Sequence, residues 1–123
     1  ILNWNPASYF VSCPNANLFI ENQLPDYSQF KNAIMCLGTD SLSSNWQLSI
    51  LSEIKTILKF QSYLNLEDVL CWATYNGARA LNISEWAGSF EVGKRPGVNW
   101  IQDVEQKGKT WSIKPEASVT KIS

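Results

Sequence analysis

Apolar residues follow three rhythms along this chain: short unbroken runs in the first third, helical spacing in the middle, and alternation towards the end. Ile34-Met35-Cys36-Leu37 is an unbroken run halted by Gly38 and followed by Thr39-Asp40-Ser41. Such a run predicts a strand buried on both faces, although its length alone does not separate it from a piece of buried helix. Tyr9-Phe10-Val11-Ser12-Cys13, aromatic and β-branched and stopped by Pro14, predicts an earlier strand after a connector over residues 1–8. Asn15-Ala16-Asn17 then reads as a turn beyond that strand's carboxyl end. There the side chain of Asn15 or Asn17 either meets a substrate or satisfies turn backbone. Asp26 with Gln29 three residues on forms a capping-box pattern behind Pro25, predicting a short helix from Tyr27 to about Asn32. Strand, short helix, strand is a right-handed crossover if the two strands run parallel.

Beyond a polar loop over Ser41–Asn45, the residues Ile50, Leu51, Ile54, Ile57 and Leu58 recur at helical spacing through about Gln61. This helix, Gln47–Gln61, is expected to pack its apolar face on the sheet, with Glu53, Lys55 and Lys59 as a solvated face. Asn65 with the first-turn acids Glu67 and Asp68 starts a second amphipathic helix through Leu66, Val69, Leu70 and Ala73. Asn76-Gly77 is predicted to interrupt it before a third short helix from Ala78 to about Leu81. From Gly88 the character changes, with three glycines and a proline in ten residues. Val98–Ile101 and Trp111–Ile113 then alternate like strands, Glu105–Lys109 reads as an exposed turn, and Val119–Ile122 as an edge strand.

Charge narrows the partners. Ten basic residues are scattered through 123 positions and the net charge is −1, so neither nucleic acid nor an anionic membrane is expected. The apolar runs fall short of the roughly 18 residues of a membrane span and the amino terminus carries no leader pattern, which favours the cytoplasm. Cys13, Cys36 and Cys71 are an odd number at wide spacing within apolar segments, the pattern of buried free thiols. The chain contains no histidine, so it supplies no Ser-His or Cys-His dyad and no histidine metal ligand. It starts at Ile1 without methionine and is expected to be a piece of a longer protein. If Ile34–Leu37 is a parallel strand, Asp40 sits at its carboxyl end, where α/β sheets and barrels place their chemistry.

Four blocks in order, Cys13-Pro14-Asn15-Ala16-Asn17, Gly38-Thr39-Asp40-Ser41, Ala73-Thr74-Tyr75-Asn76-Gly77-Ala78-Arg79-Ala80-Leu81 and Gly88-Ser89-Phe90-Glu91-Val92-Gly93-Lys94, together resemble the carboxyl-terminal part of the metal-dependent amidohydrolase superfamily. Within it the chain is most similar to the cytosine, guanine and S-adenosylhomocysteine deaminase and triazine chlorohydrolase group. The resemblance implies an α/β fold: the last two βα units of a (β/α)8 metallo-hydrolase barrel over residues 1–87, then part of a small β-sandwich over residues 88–123. It implies that Asp40 is a catalytic residue, ligating a divalent metal (zinc, with iron as the alternative) and shuttling the proton of the attacking water. It places Asn17 at the substrate pocket, with Ala16 where the family usually has serine and Pro96-Gly97 where many members have Ala-Asp.

The remaining ligands, a His-x-His pair and two later histidines, would lie upstream of Ile1. A catalytic metal needs three or four protein ligands, and Asp40 offers one. The chain alone is therefore expected to bind no metal and to be inactive. The complete protein is expected to hydrolyse a C–N or C–Cl bond of a small heterocyclic base or nucleoside, most simply as a deaminase. Association with the missing amino-terminal portion, or a homo-oligomer, would cover the exposed strand edges. The competing expectation is a non-catalytic binding or assembly module, or a pseudoenzyme fragment.

Overall fold

A computed structural model describes residues 8–123, so all of the expected connector except Ser8 lies outside the described residues. Strand β1 (Tyr9–Ser12) pairs in parallel with β2 (Ile34–Leu37), with Tyr9 opposite Ile34 and Ser12 opposite Leu37. Both expected strands are thus present and share a direction. Asn15-Ala16-Asn17 is not a turn: it lies in the first turn of helix α1 (Pro14–Glu21), which Pro14 opens. Proline is at ease there because the first helical N–H has no partner to lose and φ is already near the helical value. Asn22, at φ 53°, ends α1 and donates its N–H to the Leu18 carbonyl.

Asp26 caps the next turn by accepting from the Ser28 N–H at 3.0 Å, but the helix expected to reach Asn32 is a single 3₁₀ turn, Tyr27–Phe30. Ser12 and Tyr27 share a hydrogen bond of 2.5 Å between their hydroxyls, joining that turn to β1. Burial pushes the Tyr27 phenol up from its usual pKa, against the hydrogen bond to Ser12, which pulls it down.

Helix α2 (Ile50–Phe60) is capped by Ser49, whose hydroxyl accepts from the Ser52 N–H, and α3 (Leu66–Ala73) by Asn65, whose side chain accepts from the Asp68 N–H. Their apolar stripes meet the sheet in one core of Tyr27, Met35, Leu37, Ile54, Ile57, Leu66 and Val69. Ile57 and Val69 are fully buried, each contributing about 1.5–3 kcal/mol of burial energy. Two of the three charges expected on the wet face of α2 are not there. Glu53 is fully buried, and Lys55 reaches back to donate to the carbonyls of Pro115 at 2.9 Å and Ala117 at 2.5 Å. Only Lys59 is exposed.

The break expected at Asn76-Gly77 falls instead at Thr74 (φ −130°, ψ −83°), and both residues lie inside helix α4 (Tyr75–Ala80). A contact with β2 accounts for the shift. The Gly38 N–H reaches β1 at Ser12, so by the two-residue alternation of a strand the Met35 carbonyl faces the opposite edge, where Asn76 Nδ2 donates to it at 2.7 Å. The kink thus brings an asparagine to one carbonyl on the edge of β2 that faces away from β1. Arg79 lies over the rings of Tyr9 and Tyr75, 5.9 and 5.6 Å from their centroids.

Past Gly88, β3 (Asn99–Ile101) pairs antiparallel with β6 (Val119–Lys121), and β4 (Val104–Lys107) with β5 (Thr110–Ile113). Glu105–Lys107 is therefore strand, and the expected turn shrinks to Gly108-Lys109, with Gly108 at φ 64°. Val104 and Ile113 pack on the helical core. No described helix is long and apolar enough to cross a membrane. Cys13, Cys36 and Cys71 are free.

Two glycines behave oppositely. Gly88 sits at φ 88°, and a Cβ there would lie 2.6 Å from Ala78 Cβ and 3.2 Å from Tyr75 Cα, whereas one at Gly77 would meet nothing within 4 Å. Gly88→Ala is expected to destabilise the protein by about 1–3 kcal/mol. Gly77→Ala is expected to stabilise it by about 0.5–1 kcal/mol through helix propensity. Thermal or urea unfolding of the two variants checks the opposite signs.

Candidate active site

Parallel pairing places the carboxyl ends of β1 and β2 side by side, and the Gly38 N–H extends the ladder by donating to the Ser12 carbonyl at 2.9 Å. A Cβ at Gly38 would stand 3.0 Å from Val11 Cγ1 and 3.3 Å from Cys13 Sγ, so the two strand ends pass closely here. Asp40 follows in the left-handed conformation at φ 58°, which aspartate tolerates better than most residues. Its Oδ1 accepts from the Ser41 N–H at 2.9 Å, and its carbonyl accepts from the Thr39 hydroxyl at 3.0 Å. The residue is exposed, and its second carboxylate oxygen accepts no hydrogen bond from a described residue.

Cys13 lies against this segment. Burial is the main cause that pushes its thiol above the usual pKa, and the Asp40 and Glu53 carboxylates add to it. The Asp40 backbone N–H acts in the other direction. The thiol is therefore kept neutral, which argues against a nucleophilic role.

Beneath Asp40 stands a group of side chains that the sequence reading did not bring together. Glu53, fully buried on α2, accepts from the Asn15 backbone N–H through Oε2 at 2.8 Å and from Asn45 Nδ2 through Oε1 at 2.7 Å. Asn45 Nδ2 also donates to the Thr39 carbonyl at 2.6 Å. Both ends of the Asn15 amide are engaged: Nδ2 donates to Ser52 Oγ at 3.0 Å, and Oδ1 accepts from the Thr56 hydroxyl at 2.6 Å. No described cation forms an ion pair with Glu53. Its charge is held by N–H donors from the residues after both strands, which is why a carboxylate on this helix turns inwards. The available signal was spacing, since Glu53 stands four residues before Ile57 inside the apolar stripe.

Of the two asparagines singled out after β1, Asn15 is therefore structural. Asn17 is half-buried in the first turn of α1, its N–H donates to the Cys13 carbonyl at 3.0 Å, and its side-chain amide is engaged by no described residue. Asn17 and Asp40 thus follow the carboxyl ends of neighbouring parallel strands. Across the same end, Phe19 and Trp46 meet edge to face at 5.3 Å.

A carboxylate with one uncommitted oxygen is a suitable hard ligand for zinc or iron, so Asp40 fits one position of such a site. No group of three His, Cys, Asp or Glu able to hold a metal ion occurs among the described residues. The rest of a metal site would have to come from elsewhere.

Comparison with known proteins gives three kinds of match. Residues 3–117 match the model of the Amidohydrolase family. The chain is 31% identical over 104 residues to a 5-methylthioadenosine/S-adenosylhomocysteine deaminase of Halalkalibacterium halodurans, covering 77% of this chain and 24% of that protein. It is 33% identical over 93 residues to an adenosine deaminase of Helicobacter pylori, covering 72% and 22%. Among solved structures, E. coli guanine deaminase superposes with a TM-score of 0.58 at 27% identity, over 71% of this chain and 21% of that one. The chain thus spans less than a quarter of the length of each of these proteins.

Asn15 and Asn17 should separate in an unfolding experiment. Asn15→Ala takes the acceptor from the Thr56 hydroxyl and one of two donors from Ser52 Oγ, and is expected to cost about 1–3 kcal/mol. Asn17→Ala, with no side-chain hydrogen bond to lose, is expected to stay within about 0.5 kcal/mol of the parent. Urea denaturation midpoints measure both.

Proposed function

The chain belongs to the amidohydrolase family, and from that premise we propose that it is the carboxyl-terminal part of a metal-dependent hydrolase. Its reaction is the hydrolysis of a C–N bond of a heterocyclic base or nucleoside, most simply a deamination, with C–Cl hydrolysis on such a ring as the neighbouring chemistry. The observation that carries this reading is Asp40: an exposed carboxylate, half committed to Ser41, at the carboxyl end of a parallel strand inside the span that matches the family. The deaminase names of the relatives support the substrate class.

In this reading β1 and β2 are the last two strands of a (β/α)8 barrel, residues 1–87 belong to that barrel, and residues 88–123 are part of a β-sandwich. Asp40 would be one of the residues that hold the metal. A divalent metal, zinc or iron, when bound at such a site lowers the pKa of water to about 7 and polarises the carbon under attack. Asp40 also takes the proton from the attacking water and returns it to the departing amine. Asn17 faces the substrate with its uncommitted amide. The histidines that complete the metal site belong to the remainder of the complete protein.

The same reading explains the two-stranded parallel sheet. Parallel strands are normally covered on both faces and flanked by further strands. Here Val11 on β1 is 62% exposed, which supports docking of the missing barrel strands against it.

Asp40→Asn in the complete protein is expected to lower kcat by about 10²–10⁴-fold, the usual contribution of general acid–base catalysis, as measured by ammonia release from adenosine or guanine. The isolated chain is expected to hold no stoichiometric zinc, to release no ammonia from either compound, and to elute on size exclusion as a self-associated species. Bound zinc with turnover, or a well-behaved monomer, would oppose the fragment reading.

A further inference from the structure

We propose that Glu53 is a positioning residue for the Asp40 carboxylate, acting through Asn45; the inference rests on the reading of Asp40 given above. The peptide unit between Thr39 and Asp40 is held at its carbonyl. That oxygen accepts from Asn45 Nδ2 at 2.6 Å. Asn45 is in turn held by the buried Glu53 Oε1 at 2.7 Å, and its own Oδ1 accepts from the Gln47 N–H at 3.3 Å. A peptide plane held in this way sets the position and direction of the Asp40 N–Cα bond, from whose end the side chain departs. The other Glu53 oxygen takes the Asn15 N–H, tying the start of α1 to the same anchor two residues before Asn17. One carboxylate therefore references the segments after both strands to the rigid helix α2. Loops at strand ends are ordinarily the mobile part of such a fold, and catalytic groups on them need fixed support.

The bonding pattern makes the role separable from simple packing. Glu53→Gln conserves shape and can still accept from the Asn15 N–H, but its amide meets the Asn45 amide donor to donor, which releases Thr39. Combining it with Asn45→Asp restores a hydrogen bond between positions 45 and 53, since the new carboxylate accepts from the new amide. It does not restore the donor to the Thr39 carbonyl. Stability and positioning should then part company in the double variant.

The experiment uses the complete zinc-loaded protein. Its readouts are zinc release to a chromophoric chelator, the melting temperature of the metal-free form, and kcat and KM for deamination of adenosine and guanine. Glu53→Gln is expected to release zinc about 10–100-fold more readily and to lose a similar factor in kcat with KM nearly unchanged, the size of effect typical of residues that support a metal ligand. The double variant is expected to recover melting temperature but neither zinc retention nor kcat. Asn45→Ala, which leaves Glu53 its bond to Asn15, should reproduce the zinc and kcat losses and serves if Glu53→Gln does not fold. Folded variants with parental zinc retention and kcat, or a double variant that recovers both with its melting temperature, would overturn the proposal. A parent protein without zinc or turnover would instead sink the reading of Asp40, a failure recorded before any variant is made.

Discussion

Burying a carboxylate that has no cation beside it among the described residues is costly in a protein interior, and at Glu53 the fold meets that cost with backbone and side-chain N–H donors from two separate segments. Such an arrangement constrains its surroundings. The start of α1 must lie where Asn15 can present its N–H, and the loop after β2 must fold back far enough for Asn45 to arrive beside it. The helix α2 must hold its register against both, which the hydrogen bonds from Asn15 to Ser52 and Thr56 reinforce. Removing either donor leaves one buried Glu53 oxygen without its partner, so the network is more sensitive than a count of its bonds suggests.

The rest of the architecture lies around this anchor. The core below it is apolar and continuous, with Met35 and Leu37 from the sheet meeting Ile54 and Ile57 from α2 and Leu66 and Val69 from α3. Two long-range polar contacts fasten its margins. Asn76 donates to the Met35 carbonyl on the outer edge of β2, and Lys55 holds the carbonyls of Pro115 and Ala117, joining the carboxyl-terminal segment to α2. Gly88 allows the segment before those strands to pass within van der Waals range of α4. The exposed Asp40 thus rises from a scaffold whose fixed points are polar, specific and mostly buried.

How much of this was legible in the sequence depended on the range of the interaction involved. Strands β1 and β2 and helices α2 and α3 followed from apolar rhythm and caps within a few residues, and Asp40 followed from its place after an apolar run. The failures share a cause in contacts between distant residues. Glu53 and Lys55 looked like a wet helix face because their partners lie 38 and 62 residues away for Asn15 and Ala117. Asn76-Gly77 looked like a helix break because local propensity says nothing of the Met35 carbonyl, 41 residues distant. Asn15-Ala16-Asn17 was misread for a local reason: Pro14 stops a strand and starts a helix equally well. At the candidate site, the place of Asp40 after a strand was readable and the buried side chains around Glu53 were not.

Membership of the amidohydrolase family gives the Asp40 carboxylate a chemical context, and the geometry gives it a fixed origin. The central claim is that this one residue is the chain's contribution to a metal centre completed by the remainder of a larger protein. X-ray diffraction from crystals of the complete protein, recorded on either side of the zinc absorption edge, tests it most directly. The account predicts an anomalous peak in direct contact with the Asp40 carboxylate, with histidines from outside residues 1–123 around it. A metal bound elsewhere, with Asp40 facing solvent and touching no ion, would contradict it.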